Sequence, residues 1–549
     1  MLIPDDDRSI PELTAETARA AFPNGNVFMK IRDVLGPIFE DEQFTDLYPS
    51  LGQPAASPGR LALVTVMQYV ENLTDRQAAD AVRGRIDWKY ALGLELSDPG
   101  FHYSVLSEFR ARMVAGGAEQ ILLEKMLEQC QAKGLLGGKS KQRTDSTHIV
   151  AAIRQLNRLE LVGETMRRAL DDLAQVAPNW LKPHIQPEWI ERYGKRVDAY
   201  RLPKSKVKRE ALAEAIGQDG CDLLKAVYAE TAPPELRALP SVETLRRVWV
   251  QQYYVDEDDT HWRTRKKWGQ PPAQRMIASP DEADARYAAK YSTVWTGYKV
   301  HLTETCDPDQ PRLITHVETT PATTPDVKVT EKVHDELAGK DLLPDEHFVD
   351  GGYLEADLLL SSHEKGIDLI GPMPADKSWQ AKTEGAFDHS QFQIDWERMQ
   401  ATCPNGKTSI YQMEGSTRRD SANIHFTFSA TDCGPCPFRS KCTRAKAGGR
   451  TLTIYPREQY EILQAARERQ STEEFKVLYG TRAGVEGTIS QAVNRMGIRC
   501  ARYRGMGKTH LQNLATAAAI NLVRVANWMT GHEPETTRVS PFAALVLQT

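Results

Sequence analysis

The stretch His347-Phe348-Val349-Asp350-Gly351-Gly352-Tyr353, followed by Leu354-Glu355-Ala356-Asp357-Leu358-Leu359-Leu360, decides how this chain is read. An apolar pair runs into an acid, two glycines turn the chain, and a helix-like segment follows. The pattern predicts a strand whose carboxyl end carries Asp350 into a tight strand-to-helix turn. Open α/β sheets place their ligands just beyond such strand ends. A carboxylate there can hold a divalent ion, while the glycines let a substrate approach the backbone closely. A lone acid in a turn is equally a cap residue, so the weight of Asp350 depends on what surrounds it.

Working outward, strand signals appear at 296–302 and 313–317, and Val327, Val329, Val333 and Leu337 mark a helix between Pro325 and Gly339. Ile367–Ile370 supplies a further strand after the Asp350 turn. Upstream, Gln142–Val150 is a β-rich run with one acid, Asp145, embedded in it. Acids are depleted inside strands, so Asp145 is either a satisfied edge residue or a functional one. These elements predict an α/β core, a mixed sheet flanked by helices, with Asp145 on its first strand.

The remaining segments divide around that core. Residues 1–50 read as an N-terminal arm or a small cap and 51–138 as an all-helical domain. In the latter, Leu61, Leu63, Val64, Met67, Val70 and Leu73 form a stripe, and Thr74 to Gln77 has capping-box form. Its helix-turn-helix proportions suit DNA recognition through Arg76, Arg83 and Arg85, or a docking or dimerisation bundle whose arginines are merely solvated. Residues 139–373 hold the first part of the core, interrupted by a helical insertion at about 154–290. Within that insertion, Trp262, Arg265, Lys266, Lys267 and Trp268 interleave cations with aromatics, which suits phosphates and unstacked bases or an exposed face.

Residues 374–455 carry four of the eight cysteines. Cys403, the Cys433-Gly-Pro-Cys436 turn and Cys442 together make a four-thiolate set for structural zinc in a small polar insertion, or are reduced structural cysteines. Residues 456–530 form a C-terminal helical part of the core, and 531–549 a tail. Between 482 and 510 lie Arg482, Arg495, Arg499, Arg502, Arg504 and Lys508 with a single acid, Glu486. Such an acid is a salt-bridge partner or a metal ligand beside bound phosphates. The run Gly505-Met-Gly507-Lys508-Thr509 is not a phosphate loop, because Arg502 stands where that motif needs glycine.

Composition narrows the class. A chain of 549 residues with 41% hydrophobic and 26% charged residues is a soluble globular one of several domains. A net charge of -5 confines any nucleic-acid surface to local patches. The start lacks the basic and apolar regions of a secretory signal, no stretch is long enough to span a bilayer, and eight cysteines in such a length are no disulfide framework. A cytoplasmic protein with no membrane partner is expected.

Asp145, Asp350 and Glu486 thus stand out as three acids in a basic setting, and two divalent ions bridged by three carboxylates are a device for phosphodiester displacement. Thr144-Asp145-Ser146-Thr147-His148, Val349-Asp350-Gly351-Gly352-Tyr353 and Tyr479-x2-Arg482-x3-Glu486 resemble the three acidic motifs of bacterial insertion-sequence transposases of the DDE class. The likeness is nearest to the insertion-sequence family numbered eleven-eighty-two and runs from about residue 50 to 530. It implies an RNase H-like core, two Mg2+ (or Mn2+) ions held by Asp145, Asp350 and Glu486, and Tyr479 and Arg482 beside the DNA. It also implies end cleavage exposing a 3′-hydroxyl, attack of that hydroxyl on target DNA, terminal inverted repeats as double-stranded partner, and a homodimer. The wider pattern has lysine where this chain has Val493, leaving Arg495 or Lys508 to replace it. A metal-dependent nuclease without strand transfer, or a catalytically silent DNA-binding regulator, are the competing classes.

Overall fold

The computed structural model describes residues 1–4, 8–137, 140–257, 259–264, 269–374, 376, 378–416 and 422–531. The tail beyond 531 and the basic run Arg265, Lys266, Lys267 and Trp268 lie outside the described residues.

The chain is mixed α/β, built on a curled six-stranded sheet. Its strands are β1 (Lys141–Val150), β2 (Arg286–Lys290), β3 (Thr293–Thr305), β4 (Ile314–Pro321), β5 (Glu346–Phe348) and β6 (Asp368–Ile370). β3 is the longest; it pairs antiparallel with β1, with β4 and, through its first residues, with β2. On the other side of β1, β5 and then β6 run parallel to it. Parallel strands need crossover connections, which the helices Thr330–Ala338 and Ala356–Glu364 provide. Asp350 therefore lies two residues beyond its strand, in a short 3-10 turn at Gly351–Tyr353, as the glycines lead one to expect.

The region read as an arm or a small cap is folded. Glu12–Ala21 and Val27–Leu35 are helices, the second capped by the Asn26 side chain accepting from the N–H groups of Phe28 and Met29. Phe28, Ile31, Leu35, Ile38, Phe39 and Phe44 are buried in the main hydrophobic core. Spread among prolines and acids, these residues carry no stripe long enough to read, yet they close over Trp88, which Phe28 meets edge-on at 5.7 Å. The helices that follow begin as expected. Thr74 accepts from the Gln77 N–H while the Gln77 side chain accepts from the Thr74 N–H, a complete capping box.

This helical region shares one apolar core with the sheet. The link is the long helix Met506–Met529, whose Ala515, Ala517, Ala518 and Ala519 let it pack closely between β4 on one side and the Pro58–Val70 helix on the other. Asn521 fastens it to the sheet by exchanging two hydrogen bonds with the Ile314 backbone, at 2.7 and 2.8 Å. By contrast, the insertion after β1 has a core of its own. Arg158–Val176, Lys206–Tyr228 and Pro240–Gln252 enclose Val162, Leu173, Leu223, Leu245 and Trp249. The cysteine-bearing segment is likewise a small separate unit, built on the antiparallel strands Tyr411–Ser416, Ala422–Thr427 and Thr451–Ile454.

Candidate active site

Register brings the first two acids together. Arg143 of β1 is level with Phe348 of β5 in the last pair of a parallel ladder, and Asp145 and Asp350 each follow that pair by two residues, close enough for the Asp350 charge to act on the Asp145 carboxyl. Arg143, Asp145 and Thr147 share one face of β1, since side chains alternate. The helix Gly484–Met496 packs on β1 and carries Glu486 in its first turn. Asp145, Ser146, Thr147, Glu486, Ile489, Ser490, Val493, Asn494 and Arg499 line a single open cleft.

The charges in the cleft are coupled. Arg482 joins the acids: its Nη2 donates to Asp145 Oδ2 at 2.7 Å and its Nη1 lies 3.4 Å from Glu486 Oε1. Burial pushes the Asp145 carboxyl up, and the nearby Asp350 adds to it. Arg482, the Ser146 N–H and Lys290 pull the other way without cancelling the rise. Burial opposes the charge on Arg482, but Asp145, Tyr479, Asp350 and Glu486 outweigh it and the guanidinium is held above its ordinary value. Tyr479 stacks on Phe475 with ring centroids 5.6 Å apart. Burial raises its phenol, and all three acids contribute in the same direction while Arg482 opposes. The three acids, Tyr479 and Arg482 therefore occupy one electrostatic neighbourhood.

The predicted cations separate into two sets. Arg499 belongs to the cleft, its Nε donating to Thr147 Oγ1 at 2.9 Å while its carbonyl accepts from the Val150 N–H at 2.7 Å. Val493 lines the same cleft, so the cation next to that position is Arg499 rather than Arg495 or Lys508, neither of which is among the cleft residues. Arg495 follows Glu486 by nine residues, about 180° around the helix, and is exposed, as is Lys508. Arg502 is a tether: it donates to the Leu73 carbonyl at 2.8 Å and to the Asn72 side chain, and its guanidinium lies over Tyr69. Arg504 lies 3.7 Å from Asp281. In the helical region Arg76 covers the Tyr103 ring at 4.9 Å, and Arg83 binds Asp80 and the Pro99 carbonyl. Trp262 is packed in the insertion, edge-on to Tyr253 and beneath Arg158 at 4.0 Å, so its ring serves the insertion's own packing.

Beneath the acids lies a set of residues that the sequence reading did not single out. Glu304 of β3, opposite Arg143 across the β1–β3 pair, is fully buried and bonded to Arg143, Thr488 and Arg524. A glutamate between threonines in a strand gives no local signal of this. Tyr353, just after the second acid, donates to or accepts from His301 Nδ1 at 2.6 Å, and burial holds that imidazole down at about 3.

Cys403, Cys433, Cys436 and Cys442 line one cavity with Phe387, Phe392 and Phe428. The Arg450 N–H points to Cys433 Sγ at 3.5 Å, and Asn405 Nδ2 lies 3.8 Å from Cys436 Sγ. Burial, and then Arg450 opposing and the three other thiols adding, leaves the Cys442 thiol above its ordinary value. All eight cysteines are free. Among the described residues, no group of three or more His, Cys, Asp or Glu is arranged to hold a metal ion. No helix of the described residues is long and apolar enough to cross a membrane.

Two stretches of the chain are similar to transposase families. The particular matches are to a transposase DDE domain over residues 402–526 and to a transposase domain (DUF772) over residues 16–112. The first spans Tyr479, Arg482, Glu486 and Arg499 together with the four cysteines. The second begins inside the stretch read as an arm or a small cap, where the folded helices lie. No curated protein matches the chain.

Proposed function

We propose that the protein binds transposon terminal repeats, cleaves them by metal-assisted phosphodiester hydrolysis and joins the 3′-hydroxyl ends to target DNA. The observation that carries this reading is the convergence of Asp145 and Glu486, residues far apart in the chain, on one open cleft and on one shared guanidinium, that of Arg482, with the Asp350 charge acting on the Asp145 carboxyl. The strand order β4-β3-β1-β5-β6, three antiparallel strands followed by two parallel ones, supports an RNase H-like core.

The donor set fits magnesium or manganese. Three carboxylates are hard oxygen ligands, and their mutual repulsion is relieved in this structure by the Arg482 guanidinium, a cation already drawn between them. Asp145, Asp350 and Glu486 would hold two divalent ions, which supply charge stabilisation to the attacking and leaving oxygens of the phosphodiester. The chain's own residues do the rest. Arg482, on release from the carboxylates, and Arg499 at the other wall offer guanidiniums to backbone phosphates flanking the reacting one. Tyr479, held by Phe475, presents its hydroxyl beside the same acids. Water and a 3′-hydroxyl are equivalent nucleophiles here, so one site serves hydrolysis and joining without a covalent protein–DNA intermediate. Two ends to be joined call for two copies, hence a homodimer working on DNA within a bacterial cytoplasm.

Purified protein with Mg2+ or Mn2+ and DNA carrying the element's ends should give cut ends and joined products. Cut ends without joining would leave a structure-specific nuclease, and binding alone a silent regulator.

The reading extends to a structural zinc held by Cys403, Cys433, Cys436 and Cys442, which line one cavity as free thiols although they are not drawn to ligand spacing in this structure. Zinc content of purified protein is expected near one ion per chain and to fall in Cys436→Ser; equal zinc in the two proteins would remove this ligand set.

A further inference from the structure

The first two acids each follow the last β1–β5 pair by two residues, but the third sits on a helix that no ladder of backbone hydrogen bonds holds in register. We propose that Glu304, with Arg143, Thr488 and Arg524, forms a buried clamp that positions Glu486 and Arg482 against Asp145. The inference rests on the metal-binding role proposed above for the three acids.

Both oxygens of Glu304 are engaged. Oε1 accepts from Arg143 Nε at 2.7 Å and lies 2.6 Å from Arg143 Nη2. Oε2 accepts from Thr488 Oγ1 at 2.5 Å and from Arg524 Nη1 at 2.7 Å. Arg143 also donates through Nη1 to the Thr481 carbonyl at 2.5 Å, and Arg524 through Nη2 to Thr488 Oγ1 at 2.6 Å. A carboxylate with no exposed surface is expected to favour its neutral form. Burial does act in that direction on Glu304, yet Arg524, Arg143 and the Thr488 hydroxyl outweigh it and keep the group below the usual range. It is therefore a charged, fully bonded node linking β1, β3, the Gly484–Met496 helix and the Met506–Met529 helix.

Its grip falls on one side of the helix that bears the third acid. Thr481 and Thr488 bracket Arg482 and Glu486 in sequence, and Gly484, between them, lies directly on the Arg143 guanidinium, which a Cβ there would overlap. Gly484 and Thr488 are four residues apart and share a face, whereas Glu486 is two residues from either, about 160° around the helix. Holding the inner face thus points Glu486 into the cleft. Arg482 lies four residues before it, on the same outward face. Arg143 also precedes Asp145 by two positions on the same face of β1, so one guanidinium is the shared reference for the first and third acids. Arg524 also reaches Gln491 of the same helix at 3.4 Å, but the short bonds of the cluster, to Thr481 and Thr488, fall on either side of Arg482 and Glu486.

The test separates positioning from folding. Thr488→Val keeps shape but removes the hydroxyl between Glu304 and Arg524, while Thr488→Ser keeps the hydroxyl. Mn2+ binding to the full chain, read by electron paramagnetic resonance without DNA, should weaken about tenfold in Thr488→Val, the scale seen when a partner of a metal ligand is lost. Thr488→Ser should bind and melt like the wild type, while Thr488→Val, short of one buried hydrogen bond, should melt modestly lower yet remain fully folded at the temperature of the binding measurement. Glu304→Gln should weaken Mn2+ binding at least as much. Unchanged Mn2+ affinity in Thr488→Val, or no recovery in Thr488→Ser, would overturn the clamp alone. Wild-type protein whose Mn2+ binding does not depend on Asp350 would overturn the proposed function and the clamp with it.

Discussion

Asp350→Asn is expected to abolish DNA cleavage and joining while leaving DNA binding near the wild-type level. Asparagine keeps the size of the side chain and its place in the turn, where the Asp350 carbonyl accepts from the Tyr353 N–H at 2.9 Å, so the fold has no cause to change. What is lost is one of the carboxylates that would hold the ions, and with it stabilisation that matters only when the phosphodiester is reacting. A loss on the order of a thousandfold or more, ~4 kcal/mol of barrier, is the expected scale. The substitution also removes a negative charge that raises the Asp145 carboxyl. Asp145 in the variant should therefore titrate lower than in the wild type, and Arg482 should remain bound to it. Gel assays of cutting and of binding on the same DNA measure both halves of the prediction. Cleavage by the variant at a rate near that of the wild type would take Asp350 out of the site.

The parts legible in the sequence are those whose signal is local. Asp350 could be placed because an apolar strand, two glycines and a helix pattern surround it, and the Thr74 capping box because its residues are three apart. Glu486 stood out because it is the single acid among six cations. Illegible were the relations made by pairing. The approach of Asp145 and Asp350, each two residues past the Arg143–Phe348 pair, depends on the β1–β5 pairing, which no local pattern encodes. Glu304 finds Arg143 161 positions away, Thr488 184 and Arg524 220, so nothing near it announces a buried charge. Cations posed a different difficulty. Arg499 and Arg502 are three residues apart and equally basic, yet one lines the cleft while the other ties the C-terminal region to Asn72 and Leu73. A charge count cannot tell a solvated arginine from a docked one. Residues 1–50 leave arm and small cap undivided for a related reason: their apolar side chains are too scattered to show a period, although they bury well against Trp88.

Two glycines near the site should respond to alanine with opposite signs. Gly297 stands where β3 passes the end of β1, level with Val150 on one side and Arg286 on the other. Its φ is +156°, and a Cβ there would overlap the Ile149 carbonyl oxygen and lie 2.7 Å from the Ala151 nitrogen. Both atoms are backbone, so no side chain can swing aside; β1 and β3 would have to part. The Ala151 N–H, which donates to Thr296 O at 3.0 Å, and the Trp295 ring resting 5.3 Å from His148 would move with them. Gly297→Ala is expected to cost about 3 kcal/mol or more, from overpacking plus a strained ladder hydrogen bond. Because β1 carries Asp145, cleavage should fall along with the melting temperature. Gly487, one residue past Glu486, offers the control. It lies inside the Gly484–Met496 helix with nothing within 4 Å of a built Cβ, so alanine there removes only the backbone freedom of the unfolded chain and should stabilise by up to ~1 kcal/mol. Thermal melts of the two variants decide the matter: a Gly297→Ala protein that melts with the wild type would mean that β3 does not cross β1 as tightly as the register requires.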